Sequence, residues 1–201
     1  MFNYLTITFL LTLCFSGLIY CTQKDRKTES SITIAIQTFT GIPEQDVVYV
    51  EQKIKSFYPK VVVLPKINLP KQAYYKPRNR YRADSILAFL RQSKADDYVF
   101  IGLTNKDISN TKGSVKDFGV LGLGYCPGKV CVASTFRLDK KARQEQLFKV
   151  AIHELGHTQG LPHCKQTHCF MRDAEGKNPT NEEKEFCKDC KKLLQKKGWK
   201  L

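Results

Sequence analysis

A short run of histidines constrains this chain more than any other feature of its sequence. Residues 153–163 read HELGHTQGLPH, with His153 and His157 four positions apart. On a helix, two residues at that spacing project from one face, one turn apart. Gly160 can adopt a positive φ and end the helix, after which the chain can turn back and His163 can supply a third ring nitrogen. The fold must therefore bring a helix, a sharp turn and three imidazoles to one point.

These histidines have the spacing expected of a catalytic zinc site. Three nitrogens leave the fourth tetrahedral position for water, whereas a structural zinc site is closed by protein ligands. Glu154 follows the first histidine and can take a proton from the metal-bound water, then pass it to a leaving amine. The pattern HExxHxxGxxH matches by chance in a chain of this length about once in ten thousand cases. The motif therefore predicts zinc-dependent hydrolysis, and the alternative is a structural or vestigial metal site.

Four cysteines after the histidines form a second pattern. Cys164 directly follows His163, Cys169 comes five positions later, and Cys187 and Cys190 form a CxxC pair. Two cysteine pairs separated by a loop are typical of a closed, structural zinc site. Two disulfides are the alternative, because an exported protein meets an oxidising environment. A zinc site would attach the C-terminal segment to the segment that carries the third histidine.

Another cysteine pair flanks a predicted turn. Cys126 and Cys131 enclose the four residues PGKV between two predicted strands. A hairpin there would bring the two thiols opposite each other. We therefore expect either a hairpin disulfide or two free, packed thiols.

The rest of the chain alternates predicted strands and helices. Hydrophobic periodicity predicts strands at residues 32–37, 61–64, 98–103, 120–125 and 130–136. Helices are predicted at residues 43–58, 83–94, 142–158 and 180–197, and polar loops at residues 65–80 and 104–117. This order implies an α/β domain with one mixed sheet of about five strands and helices packed on it.

The N-terminal residues have the pattern of a targeting segment. Residues 5–20 carry no charge, and a polar stretch follows at residues 22–31. An apolar run of this length fits a signal-peptide core. Cys21 at its end predicts a lipoprotein-like, lipid-modified cysteine, hence export or membrane attachment; a buried N-terminal hairpin or helix in a cytoplasmic protein is the alternative. We expect a targeting segment at residues 1–21, a linker at residues 22–30 and one domain at residues 31–201.

The charge of the chain favours acidic partners. Its 201 residues include 33 Lys and Arg against 19 Asp and Glu, a formal net charge of +14. Such a charge favours anionic lipid surfaces, although a solvated lysine-rich surface also explains it. The sequence has no recognisable nucleic-acid-binding motif, so we expect no nucleic acid as partner. The alternative to an enzyme is a non-catalytic, zinc-stabilised basic binding protein at a membrane surface.

The histidine and cysteine patterns together resemble those of the archaemetzincins, a branch of the metzincin zinc peptidases. The string HExxHxxGxxHC-x4-C-x-M, followed by CxxC, is specific to that branch, and the resemblance covers most of residues 31–197. It implies a metzincin-like α+β fold with a mixed five-stranded sheet, a long active-site helix and a short zinc-stabilised C-terminal part. It also implies a zinc metallopeptidase that acts on peptides or proteins.

The resemblance implies two zinc ions per chain and a role for each residue of the two patterns. Glu154 would be the general base, and Met171 would form the Met-turn beneath the zinc ligands. The catalytic zinc would be bound by His153, His157 and His163, and the structural zinc by Cys164, Cys169, Cys187 and Cys190.

The resemblance also locates the substrate cleft. It would lie beside the predicted strand at residues 120–125, whose edge can pair with an extended peptide. Gly122 and Gly124 in that strand would allow a substrate backbone to approach closely.

Overall fold

The computed structural model of the chain describes residues 32–92 and 96–201. The predicted targeting segment with Cys21 and the predicted linker at residues 22–30 lie outside these ranges, so they remain predictions. Within the described ranges, no helix combines the length and the apolar character needed to cross a bilayer.

A five-stranded mixed sheet forms the centre of the fold, as predicted. Its strands, in spatial order, are β2 (Val61–Ile67), β1 (Thr33–Phe39), β5 (Tyr98–Thr104), β9 (Val130–Ser134) and β8 (Gly122–Gly124). The first four strands run parallel to one another, and β8 runs antiparallel to β9. Strand β8 therefore stands at one edge of the sheet.

Helices cover both faces of this sheet. Helices α1 (Glu44–Phe57) and α3 (Arg143–Thr158) pack on one face, and α2 (Ala83–Arg91) packs on the other. In β1, Ile34 and Ile36 belong to the first face and Ala35 to the second, and all three are at most 2% exposed. The alternating residues at 32–37 thus predict the strand correctly, but the strand is buried on both faces.

Helix α3 is held against the sheet and against α1. Leu147, Ala151 and Leu155 face the core and are fully buried. At the start of the helix, Arg143 Nε donates to Asp46 Oδ2 of α1 at 2.7 Å, and the Asp46 side chain has no exposed surface. Apolar packing along its length and an ion pair at one end therefore fix the helix that carries the histidines.

The apolar run at residues 61–64 forms the other edge of the sheet, in a strand that continues to Ile67. Val61 is buried, whereas Val62 and Val63 are 38% and 41% exposed, so this apolar strand is only partly covered. Pro65 within β2 has no N–H to donate, which an edge strand tolerates because only one of its sides pairs.

A second, four-stranded sheet forms where the sequence predicts polar loops, so those two loop predictions are wrong. Its strands, in spatial order, are β3 (Tyr74–Tyr75), β4 (Arg80–Arg82), β6 (Ile108–Lys112) and β7 (Val115–Val120). Ion pairs stabilise it: Arg80 contacts Asp107 at 2.6 Å and Asp117 at 2.9 Å. Strands this short and polar carry no hydrophobic period, and the sequence pattern therefore misses them.

The last helix is shorter than predicted. Helix α4 spans Lys188–Gln195, whereas the charge pattern predicts a helix over residues 180–197. The residues before it bond to a distant segment instead, since Phe170 N–H donates to Glu185 O at 2.9 Å. Because of this pairing, Cys187 becomes the N-cap of α4 and lies beside the segment that follows the histidines.

Candidate active site and four-cysteine centre

Helix α3 ends where the sequence predicts, at a left-handed glycine. Gly160 has a φ of 89°, and its N–H donates to His157 O at 2.8 Å. Leu161 N–H donates to Gly156 O at 3.1 Å, which completes a Schellman motif. The chain turns back at this point and brings His163 to the helix face that carries His157.

Three imidazoles converge at this turn. One ring nitrogen from each of His153, His157 and His163 lies within 4.8 Å of the other two. The Nε2 atoms of His157 and His163 are 3.2 Å apart. Tetrahedral zinc with Zn–N bonds of about 2.0–2.1 Å separates two ligand nitrogens by about 3.4 Å, so this spacing fits zinc. All three histidines line an open cleft, as a site with a position free for water requires.

The second ring nitrogen of each histidine has an acceptor of its own. The contacts are His153 Nδ1 to Phe170 O at 2.6 Å, His157 Nδ1 to Leu161 O at 2.8 Å, and His163 Nδ1 to Asp173 Oδ2 at 3.3 Å. An imidazole that donates from Nδ1 presents the lone pair of Nε2, which is the atom a metal ion binds. These contacts therefore orient all three rings toward one point.

The electrostatics also favour neutral imidazoles. Burial lowers the pKa of His153 to about 3, and it lowers the pKa of His157 as well. A metal ion binds the deprotonated ring, so both residues are ready for a cation at neutral pH without first losing a proton.

Met171 packs beneath the helix that carries the histidines. The residue is fully buried, and a Cβ atom on Gly156 would collide with its sulfur. Met171 O accepts the N–H of Cys164 at 2.7 Å, which joins the methionine turn to the residue after the third histidine. The Met171 side chain therefore packs against the part of α3 that carries His153 and His157.

The side chain of Glu154 projects from α3 against the glycines of β8. It is 7% exposed, and a Cβ atom on Gly122 would lie 2.6 Å from its Oε1 atom. A Cβ atom on Gly124 would lie 2.9 Å from the backbone oxygen of Glu154. These glycines therefore make room for Glu154. The close approach of a substrate backbone at the same strand stays a prediction. Burial raises the pKa of the Glu154 carboxyl to about 8.

A cleft of about 550 Å³ opens beside the histidines. Its walls are β6, β7, β8, the histidine face of α3 and the segment at residues 172–180. Residues 120–124 line the cleft. The cleft therefore runs along the strand that the family resemblance indicates. Strand β8 is the edge of the five-stranded sheet, which leaves its outer side to the cleft.

The four cysteines of the second pattern also converge. Their sulfurs all lie within 4.8 Å of one another, with Cys164 3.7 Å from Cys187 and Cys169 3.8 Å from Cys190. Disulfide sulfurs are about 2.05 Å apart, whereas tetrahedral zinc with Zn–S bonds of about 2.3 Å separates its sulfurs by about 3.8 Å. All four are free thiols, so the alternative of two disulfides is wrong and the spacing fits a tetrahedral metal.

Cys126 and Cys131 do not form a hairpin disulfide, which is one of the two arrangements that the sequence predicts. Both are free thiols. The strand register pairs Cys131 with Gly124, because β8 ends at Gly124 and Cys126 lies in the turn that follows. Cys131 is buried, whereas Cys126 is exposed and its sulfur contacts Leu161 O at 3.4 Å.

Three further side chains of the site are not predicted from the sequence: Asp173, Lys149 and Glu183. Lys149 precedes His153 by four residues, so helical spacing alone could have located it on the histidine face. Asp173 and Glu183 lie in irregular segments, where no periodicity indicates which way a side chain points.

Comparisons with known proteins agree with this geometry. The profile of Peptidase family M54 matches residues 17–196. The archaemetzincin of Methanopyrus kandleri is 33% identical over 156 residues, which are 73% of this chain and 84% of that protein. The archaemetzincin of Archaeoglobus fulgidus is 35% identical over 140 residues, which are 68% of this chain and 82% of that protein.

Solved structures of the same two proteins share the fold. The crystal structure of the M. kandleri archaemetzincin has a TM-score of 0.72 and 32% identity, covering 84% of this chain and 96% of that chain. The A. fulgidus structure, a complex with malonate, has a TM-score of 0.68 and 28% identity, covering 81% and 99%. This chain therefore belongs to peptidase family M54, the archaemetzincins, and is a zinc metallopeptidase.

Proposed function

We propose that Glu154 is the general base for peptide-bond hydrolysis at a zinc ion held by His153, His157 and His163. The observation that supports this is the convergence of three imidazoles beside a buried carboxyl group at an open cleft. A zinc ion bound there would polarise the scissile carbonyl and lower the pKa of a coordinated water molecule.

The environment of Glu154 suits proton transfer. Its carboxyl group follows the first histidine on α3, and the glycines of β8 limit where it can move. In the ionised form it would accept a proton from the attacking water and then donate that proton to the leaving amine. Burial raises its pKa to about 8, which makes the carboxylate a better proton acceptor. A zinc ion held by the histidines would favour the ionised form.

We also propose a second, structural zinc ion at Cys164, Cys169, Cys187 and Cys190. Backbone N–H groups point at the sulfurs of this centre, for example Cys187 N–H at 3.3 Å from Cys169 Sγ. Such donors stabilise thiolates over thiols. Because Cys164 directly follows His163, a metal that fixes the cysteine also fixes the backbone of the third histidine.

The substrate on this account is an extended segment of a peptide or protein. Strand β8 ends the five-stranded sheet and lines the cleft, so its outer edge can add one more strand. Backbone hydrogen bonds to β8 would hold the segment with its scissile bond over the histidines. The basic binding protein considered from the sequence is less favoured, since both metal-ligand sets and Glu154 are complete.

Peptide cleavage by the zinc-loaded full chain tests the proposal. An unbiased peptide pool would be incubated with the wild-type chain and with Glu154→Ala, and the products would be identified by mass spectrometry. We expect cuts with the wild type and none with the variant at equal zinc content. Cleavage that survives in Glu154→Ala would overturn the assignment of the base.

We further propose export or membrane attachment through a lipid on Cys21. The support is the uncharged run at residues 5–20 followed by a polar stretch. Intact-mass measurement of the protein from its native source would show the added acyl mass on a chain that begins at Cys21. An unmodified Cys21 in that measurement would contradict the lipid anchor.

A further inference from the structure

Glu183 is a buried acid in the wall of the cleft that the proposed mechanism does not use. The residue is 3% exposed and lines the cleft together with Lys149 and Thr180. Among the residues that the structure describes, none donates a hydrogen bond to its carboxyl group, and burial raises its pKa to about 7. A buried carboxyl group without a donor is costly in free energy, so in a cleft wall it marks a place where a ligand can supply one.

The neighbouring cations are engaged elsewhere. Lys149 Nζ donates to Thr180 O at 2.8 Å, and Arg172 Nη1 donates to Glu182 Oε2 at 2.6 Å. The charges of Lys149 and Arg172 lower the pKa of Glu183 and that of Glu182 raises it, but burial outweighs all of them. Glu183 therefore lacks a direct cationic partner among the described residues.

This part of the cleft lies close to the histidines. Lys149 precedes His153 by four residues on α3, which is about 6 Å along the helix axis. Glu183 lines the same cleft as the three histidines, so a side chain or chain end of a substrate bound along that cleft can reach it.

We propose that Glu183 is a specificity-determining residue that binds a cationic nitrogen of the substrate in the cleft beside the histidines. The proposal rests on the proposed peptidase function. The nitrogen has two sources, the side chain of a lysine or arginine and a free N-terminal amine. The first makes the enzyme selective for basic sequences, and the second makes it an aminopeptidase.

The chemistry explains why a cation would be selected. An ammonium or guanidinium group donates hydrogen bonds to the carboxylate and favours its ionised form. An uncharged isostere of the same length leaves the buried carboxyl group without a donor. Sites of this kind discriminate strongly, because the wrong substrate leaves a buried polar group unpaired.

Equilibrium binding to a catalytically inactive chain tests this without any turnover. Zinc-loaded Glu154→Ala would be titrated with four labelled peptides that carry lysine or norleucine and a free or acetylated N-terminus. We expect the peptides that carry the recognised cation, either the lysine side chain or the free N-terminus, to bind at least about tenfold more tightly than the peptides that lack it. Adding Glu183→Gln should remove that difference, and the arm in which it disappears identifies the source of the cation.

Two variants control the test. Glu182→Gln removes the same charge from a side chain that is 61% exposed, so it should leave the discrimination intact. Glu183→Asp keeps the carboxylate and should retain part of the discrimination between cationic and uncharged peptides. The zinc content of each variant would be measured as a check on folding.

Three results would overturn the proposal: equal binding of all four peptides, binding of none of them, or a preference that survives Glu183→Gln. Failure of the proposed peptidase function would be visible separately, as a zinc-loaded wild-type chain that cuts no peptide.

Discussion

The carboxyl group of Glu154 occupies the space that a side chain on Gly122 would need. A Cβ atom on Gly122 would lie 2.6 Å from Glu154 Oε1 and 2.7 Å from its Cγ, and one on Gly124 would lie 3.2 Å from Oε2. The edge strand beside the cleft and the proposed base are therefore packed directly against each other. A larger residue at position 122 must therefore displace the Glu154 side chain or β8.

Gly122→Ala should lower turnover without removing zinc. The added methyl group displaces the carboxyl group of Glu154 from its place, and loss of a positioned general base typically costs about 10²-fold or more in rate. Turnover of a cleaved peptide and zinc per chain would be measured together. Val115→Ala is the control, because this side chain of β7 is 51% exposed and is not among the residues that line the cleft. Unchanged turnover in Gly122→Ala would show that this contact does not position the base.

Asp173→Asn should weaken zinc binding at the histidines. Asp173 Oδ2 lies 3.3 Å from His163 Nδ1 and orients that ring, and the loss of such a partner typically costs about 10–100-fold in metal affinity. Competition with a chelator of known affinity measures the change. Asp96→Asn removes a carboxylate that is 97% exposed and should leave the affinity as it is. Equal affinity in both variants would mean that the backbone alone orients His163.

Metal analysis of the full chain should find two zinc ions. Cys190→Ser should retain one zinc ion and lower Tm, because a structural metal contributes its binding free energy to folding. His157→Ala should also retain one ion. Cys126→Ser alters an exposed thiol outside the centre and should keep both. Two ions retained in Cys190→Ser would contradict the four-cysteine site.

Glu183→Gln should stabilise the fold more at pH 8 than at pH 5. Burial raises the pKa of Glu183 from 4.5 to about 7 in the folded chain. The folded state therefore holds this proton more strongly, and the stability that the proton contributes is complete below about pH 4.5 and lost as pH rises through about 7.

Glutamine resembles the protonated acid at every pH, so this substitution should raise the free energy of unfolding by about 1–3 kcal/mol at pH 8. Urea unfolding of the zinc-loaded chain at both pH values measures it. A stabilisation of the same size at pH 5 and pH 8 would show that ionisation of Glu183 is not involved.

The sequence predicts the parts of the fold that bury apolar surface. The central sheet, α1 and α3 all have a clear hydrophobic period, and their bounds differ from the predicted ones by a few residues. The second sheet is missed because charge contacts such as Arg80 with Asp107 hold it, and these leave no periodic trace. The helix predicted over residues 180–197 is too long because distant backbone groups take its first hydrogen bonds.

Some residues of the site could be predicted from the sequence and others could not. Spacing along one helix brings His153 and His157 together, and the glycine after them accounts for the return of His163. The role of Gly122 could not be predicted, because it depends on how closely β8 approaches α3. Asp173 and Glu183 depend on loop paths that tertiary packing sets, and local sequence does not encode those paths.

The most direct test of the account is the rate at which the zinc-loaded chain cleaves one identified peptide, compared with Glu154→Gln at matched zinc occupancy. Glutamine keeps the shape of the side chain and cannot accept the proton. The account predicts a fall in kcat of about 10²–10⁴-fold with little change in zinc affinity. A variant whose kcat stays within a few-fold of the wild type would contradict the assignment of Glu154 as the base.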